Sequence, residues 1–202
     1  MSKGVLYVVS APSGCGKGTI LDVVLKNNDK LYYSVSATTR APREGEIEGV
    51  NYYFHTKEEF LALADKNGML EFASFCDNYY GTPRKQVEEK LEQGYDVILE
   101  IETNGAMQIK NNFPEAVLIF ILPPSISELR RRLNKRHTET EEVIEKRINK
   151  AGEEIRCSEN YDFIMVNAEL EKAILDFEAI IRASKLTQKR NKKIIDEVLE
   201  NA

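Results

Sequence analysis

The feature that most constrains this chain is a glycine-rich turn set between an apolar, β-rich run, Val5–Ser10, and a helix-forming stretch, Thr19–Lys26. A chain passing from a buried strand into a helix leaves the first amide groups of the helix without partners. Glycines at 14, 16 and 18 let those donors close around a polyanion, and the helix dipole favours negative charge there. Strand, glycine loop and helix together predict an α/β fold with a parallel-sheet core. Lys17 adds a cation suited to the β- and γ-phosphates of a nucleotide. An ordinary tight turn with a surface lysine is the plain alternative, and the flanking strand and helix argue against it. The phosphate loop so defined comprises Ala11, Pro12, Ser13, Gly14, Cys15, Gly16, Lys17, Gly18 and Thr19. Two positions depart from the strict pattern. Ala11 replaces the first glycine, and Gly18 stands where a Mg²⁺-binding Ser or Thr belongs, with Thr19 one place later. Mg²⁺ keeps several waters and leans on substrate phosphates, so Mg²⁺ with ATP as co-substrate is still expected. Glu100 ends the apolar run Val97–Leu99 and faces the crevice at the carboxyl end of a core strand, where it could orient the metal directly or through water.

Further strands are expected at Tyr32–Ser36, Val50–Phe54, Leu70–Phe75, Asp96–Ile101, Ala116–Leu122 and Phe163–Val166. Thr56 and Glu59 form a capping box for a helix that ends near Gly68, and Thr82-Pro83 reads as an N-cap with proline at the first helical position. Other helices are expected at Asn104–Asn111, Ser125–Lys135 and Glu141–Ser158, with a long or broken one over Ala173–Leu199. The strands between 32 and 75 follow one another without long helices, which points to a small, mostly antiparallel insert. A net charge of −5 argues against a broad nucleic-acid or anionic-membrane surface. No apolar stretch is long enough to span a membrane. Three scattered cysteines make a poor disulfide or zinc framework. A cytoplasmic protein is expected, and a homo-oligomer is compatible with the pattern.

The chain carries SAPSGCGKGT at 10–19, SVSATTRAPREGEIEGVNYYF at 34–54, NYYGT at 78–82, LEIETNG at 99–105, FILPPS at 120–125 and spaced arginines over 132–147. On these residues it resembles the guanylate kinase family from about Val5 to Ile181. The resemblance implies one domain of three parts: a P-loop NTPase-type parallel-sheet core (1–33, 83–125 and 158–202), a mixed α/β GMP-binding insert (34–82) and a helical lid (about 126–157). It implies transfer of the γ-phosphoryl group of ATP to GMP, with dGMP as a second acceptor. Arg40 and Arg43 would hold the GMP phosphate, helped by Tyr52 and Tyr80. Glu71 would read guanine, with Ser36 and Thr82 contacting the base. Glu102 would also face GMP; it stands where the family usually has aspartate, one methylene shorter. Arg132, Arg136 and Arg147 would converge on the transferring group. Asn167 would lie near the adenine, although Ala168-Glu169 departs from the usual acidic pair.

Elementary chemistry fits this division. Arginine forks match phosphate oxygens in pairs. Guanine offers two adjacent donors that one carboxylate accepts, whereas adenine would set a lone pair against it. The acceptor is a phosphate with a second pKa of about 6, so no general base is needed; charge and alignment do the work. Arg130 and Arg131 project away from Arg132 on a helix and are expected to be solvated, as is His137. Two other readings compete: a kinase for a different nucleoside monophosphate, and a peptide-binding scaffold module. The intact Gly16-Lys17 pair argues against the scaffold, and Glu71 with Ser36 and Thr82 against the other acceptors.

Overall fold

The computed structural model of the chain describes residues 3–135 and 140–200. Five parallel strands form the core sheet: β1 (Leu6–Ser10), β2 (Leu31–Tyr33), β7 (Asp96–Glu100), β8 (Val117–Leu122) and β9 (Phe163–Val166). Their order is β2-β7-β1-β8-β9, with β1 at the centre. All five residues of β1 are buried, as expected of a parallel strand covered on both faces. The period-2 alternation of strand side chains divides the interior into two layers. Tyr7 and Val9 pack with Ile20, Leu21 and Val24 of α1 (Lys17–Lys26) and Phe177 and Ile181 of α7 (Leu170–Lys185). Leu6 and Val8 pack on the other face with Val87 and Leu91 of α3 (Arg84–Glu92) and Ala106 and Ile109 of α4 (Thr103–Asn112).

The insert is a second, four-stranded sheet ordered β4-β3-β6-β5. Its strands are β3 (Ala37–Thr38), β4 (Tyr53–Phe54), β5 (Met69–Phe75) and β6 (Asn78–Pro83). The β3–β6 and β5–β6 pairs are antiparallel and β3–β4 is parallel. Helix α2 (Lys57–Asp65) begins with the expected capping box of Thr56 and Glu59, and its Phe60 is fully buried against the sheet. The insert docks on α4, where the Gln108 amide pairs with both the N–H and the C=O of Phe72 and so mimics a strand.

Several boundaries differ from the expected ones. The stretch 32–36 splits into the end of β2 and the approach to β3, and 50–54 shortens to Tyr53–Phe54. Pro83 ends β6 and is itself the cap of α3, with no side-chain cap bond. The Thr82 hydroxyl is spent elsewhere, on Glu71. The C-terminal stretch is broken: α7 stops at Lys185 and α8 (Lys192–Glu200) follows a turn. Helices α5 (Ile126–Asn134) and α6 (Glu141–Arg156) flank the segment that contains Arg136 and His137, which lies outside the described residues. No described helix is long and apolar enough to cross a membrane.

Candidate active site

Strand adjacency builds the first half of the site. β1 pairs with β7 so that Val9 lies opposite Glu100, and the loop leaving β1 therefore starts beside that carboxylate. The loop closes through Gly14 at φ 93° and Gly16 at φ 81°, the left-handed region that favours glycine. Gly16 caps α1, and Lys17 is the first helical residue. Its ammonium lies 3.5 Å from Glu100 Oε1. The Tyr33 hydroxyl donates to Glu100 Oε2 at 3.1 Å, and burial with this neighbour raises the pKa of that phenol. A cation at the mouth of a ring of amides can hold a nucleotide polyphosphate. Thr19 is exposed in the first turn of α1, and a Cβ added at Gly18 would meet nothing within 4 Å.

The loop is braced from the opposite side. Asn167, which follows β9, is buried and donates its Nδ2 to the Cys15 carbonyl at 2.7 Å. A Cβ on Gly16 would come within 2.7 Å of that nitrogen. Arg132 of α5 donates to Glu128 at 2.8 Å, to the Asn167 carbonyl at 2.9 Å and to the Cys15 carbonyl at 3.5 Å. Arg131 shares Glu128, whose carboxyl the two guanidiniums hold down at about 2. Cys15 is packed under α5 and α6 with Leu129, Leu133, Ile144 and Ile148, and this burial pushes its thiol up to about 12. Arg147 of α6 donates to Ser13 in the loop. Arg130 bridges α5 to α6 through Glu141 and Glu145, so it has a structural partner rather than only solvent.

The insert builds the second half. Arg40 forms a bidentate pair with Glu46 at 2.8 and 3.0 Å and lies over the Tyr52 ring at 5.4 Å. Arg43 is exposed, and its backbone N–H donates to Glu46 at 2.7 Å. The Arg40 guanidinium, and after it the Arg43 backbone N–H, draw the Glu46 carboxyl below its ordinary range. Tyr52 and Tyr80 meet edge-on at 6.2 Å. Across the β5–β6 pair, Glu71 lies opposite Thr82. The Thr82 hydroxyl donates to Glu71 Oε1 at 2.7 Å, and Glu71 is only 6% exposed. Burial raises its pKa above the usual carboxylate range, with Thr82 partly offsetting the rise. Its Oε2 lies under the first turn of α4, 2.5 Å from where a Cβ on Gly105 would be. Ser36 is half-buried and accepts the Tyr53 N–H through its backbone carbonyl.

Glu102 behaves differently from Glu71. It occupies the N-cap position of α4 without capping it, is mostly exposed, and faces Lys150 of α6, with both carboxylate oxygens 3.3 Å from Nζ. The residues that sequence reasoning passed over are Glu46, Tyr33, Glu128 and Lys150. Only Glu46 carried a signal: it ends the arginine-bearing loop TTRAPREGE. Glu128 pairs with Arg131 and Arg132 within one helix, whereas Tyr33 and Lys150 became visible only through chain segments far apart in sequence.

A protein-family model described as guanylate kinase matches residues 3–184 of the chain. A guanylate kinase from Carboxydothermus hydrogenoformans is 52% identical over 190 residues, covering 94% of this chain and 93% of that one. One from Halalkalibacterium halodurans is 49% identical over 188 residues, covering 93% and 92%. Among solved structures, guanylate kinase from Anaplasma phagocytophilum superposes with a TM-score of 0.73 at 36% identity, covering 94% of this chain and 90% of its own.

Proposed function

The chain belongs to the guanylate kinase family, an ATP:GMP phosphotransferase by that membership, and we propose that the site above divides the work between a phosphate loop for ATP and an insert pocket for GMP or dGMP. The observation that carries the acceptor assignment is Glu71: a buried carboxylate, held by Thr82 and enclosed by α4. Ionised, it accepts the ring N1–H and exocyclic NH₂ of guanine together. An adenine there would leave a buried acceptor facing a lone pair, a mismatch that discriminates strongly. Ser36 supports the base from β3's edge, and the exposed Glu102 contributes from the rim.

We place the GMP phosphate against Arg40, Arg43, Tyr52 and Tyr80, and the ATP phosphates in the loop from Ala11 to Thr19 around Lys17. The insert at 34–82 and the lid at about 126–157 then act as two arms on the core. Arg132 and Arg147 already reach the loop from α5 and α6, and with Arg136 they add positive charge beside the transferring group. Asn167 fixes the loop and stands next to the adenine position. Mg²⁺ would arrive with the nucleotide as MgATP. Glu100 and Thr19 are the oxygen donors that would face it or its waters, and when bound it would supply positive charge beside the polyphosphate.

The GMP phosphate is mostly dianionic at neutral pH, so it attacks the γ-phosphorus in line without a base. The protein's contribution is alignment and charge: Lys17 and the arginines hold two polyanions end to end, and closure excludes water that would otherwise accept the phosphoryl group. Three unpaired thiols and soluble nucleotide substrates support a cytoplasmic setting. The test is a coupled ADP-release assay over GMP, dGMP, AMP, CMP and UMP. Turnover confined to the two guanine nucleotides is expected; equal turnover with any other base would defeat the reading.

A further inference from the structure

Arg40 has five N–H donors in three directions, and the structure accounts for them unequally. One Nη1 hydrogen goes to the Ala41 carbonyl at 2.7 Å. The outer edge, Nη1 and Nη2, is taken by the two oxygens of Glu46. What remains is the Nε–H and inner Nη2–H edge, a second bidentate fork. The pKa of this guanidinium is raised, chiefly by Glu46 and to a lesser degree by Tyr80, and the Tyr52 ring lies beneath it. Glu46 is held in turn by the Arg43 N–H on Oε2, while its own N–H donates to the Arg43 carbonyl at 3.1 Å. One carboxylate thus ties the side chain of Arg40 to the backbone of Arg43. Both members of the Arg40–Glu46 pair are largely enclosed, with side-chain exposures of 16% and 18%.

We infer that Glu46 is a positioning residue for the acceptor: it claims the outer edge of Arg40 and fixes the Arg43 turn, so that the Nε–Nη2 edge of Arg40 is presented to the phosphate of GMP. This rests on the assignment of the GMP phosphate to Arg40 and Arg43. The opposite possibility is that the carboxylate sits in the phosphate's own place and must be expelled. The geometry disfavours that, because Glu46 uses the edge away from the remaining fork and is fastened to the loop backbone as well. A guanidinium held in one orientation loses less freedom on binding its anion than one that must be ordered first.

The two arrangements predict opposite signs. With steady-state kinetics on Glu46→Ala, Glu46→Gln, Glu46→Asp and a reference Arg40→Ala, positioning predicts that KM for GMP rises about tenfold in Glu46→Ala, the size of one lost charge-assisted contact. KM for MgATP should stay unchanged. Glu46→Gln preserves volume but turns an amide NH₂ toward arginine donors, so it should resemble Glu46→Ala; Glu46→Asp, which keeps the charge, should recover part of the loss. If KM for GMP is unchanged or falls in the Ala and Gln variants while Arg40→Ala raises it, the inference is overturned. If Arg40→Ala itself leaves KM for GMP unchanged, the phosphate-site assignment fails and takes the inference with it. Thermal unfolding of each variant accompanies the kinetics. The volume-preserving Gln form decides the question should the Ala form be unfolded.

Discussion

At Glu71, solvation and recognition pull against each other. Burial lifts its pKa, so the folded protein binds this proton more tightly than the unfolded chain does. That contribution to stability is complete at pH below the unfolded value and is lost as pH rises through the folded one. Glu71→Gln should therefore leave the ligand-free protein at least as stable at neutral pH, measured by thermal unfolding. The proposed contact with guanine, by contrast, needs the ionised form. Guanosine, which has no phosphate to titrate, should inhibit the wild type less well as pH falls from about 7 to about 5, toward the carboxylate range. The Glu71→Gln variant should inhibit weakly and without that pH dependence. A pH profile identical in both would remove Glu71 from the base site. Lys17 gives the complementary prediction on the donor side. Lys17→Ala should reduce kcat by at least about a hundredfold, as expected when a preorganised charge is removed from the transferring group, with circular dichroism unchanged. Surviving activity would contradict the loop's role.

Among the elements, α4 is the joint between insert and core. Gln108 and Asn112 satisfy backbone groups of β5, and Gly105 lets the first turn of the helix lie directly on the Glu71 carboxylate. A Cβ there cannot be accommodated unless Glu71 moves. Gly105→Ala should raise KM for GMP by about tenfold or more, the effect of a contact of roughly 1.4 kcal/mol, with KM for ATP nearly unchanged; equal losses for both substrates would mean that the helix as a whole had shifted. The neighbouring β6 shows where element-level reading of the sequence stopped. Asn-Tyr-Tyr-Gly-Thr-Pro ends in Thr82-Pro83, which reads as a helix N-cap, and no strand is expected there, yet it is a strand paired along its length with β5. Its Gly81 sits where an added Cβ would strike the Glu71 carbonyl at 2.7 Å and Phe60 at 3.1 Å, so the glycine that weakens strand propensity is there for close packing. By contrast, β9 and the capped start of α2 were legible in the sequence, since one depends on a short apolar run and the other on two residues three apart.

For the molecule as a whole, the two halves of the site sit on different bodies. The loop is packed against α5 and α6 through Cys15, while the proposed acceptor pocket is carried by the insert on α4. Lys150 on α6 reaches Glu102 at the start of α4, so α6 touches both. Ligands that bind only the native form raise its stability by mass action, about 2.7 kcal/mol at a hundred times Kd. GMP and a non-hydrolysable ATP analogue together should raise Tm by more than the sum of their separate shifts, because each orders an arm that the other contacts; AMP in place of GMP should add nothing beyond the analogue. Simple additivity would argue that the arms are independent.

The sequence by itself determined what depends on near neighbours: a strand feeding a glycine loop and a helix, the buried apolar runs of a parallel core, the caps, and motifs specific enough to identify the family. The tertiary structure alone decided how distant side chains spend their hydrogen bonds. Asn167 braces a carbonyl 152 positions away, Arg132 is engaged by the same loop, Glu102 faces α6, and Glu71 is enclosed by α4, a helix that begins only at Thr103. Such pairings follow from which strands lie side by side and which helix covers them. No local pattern encodes that, because the partners meet only after the sheet order is set.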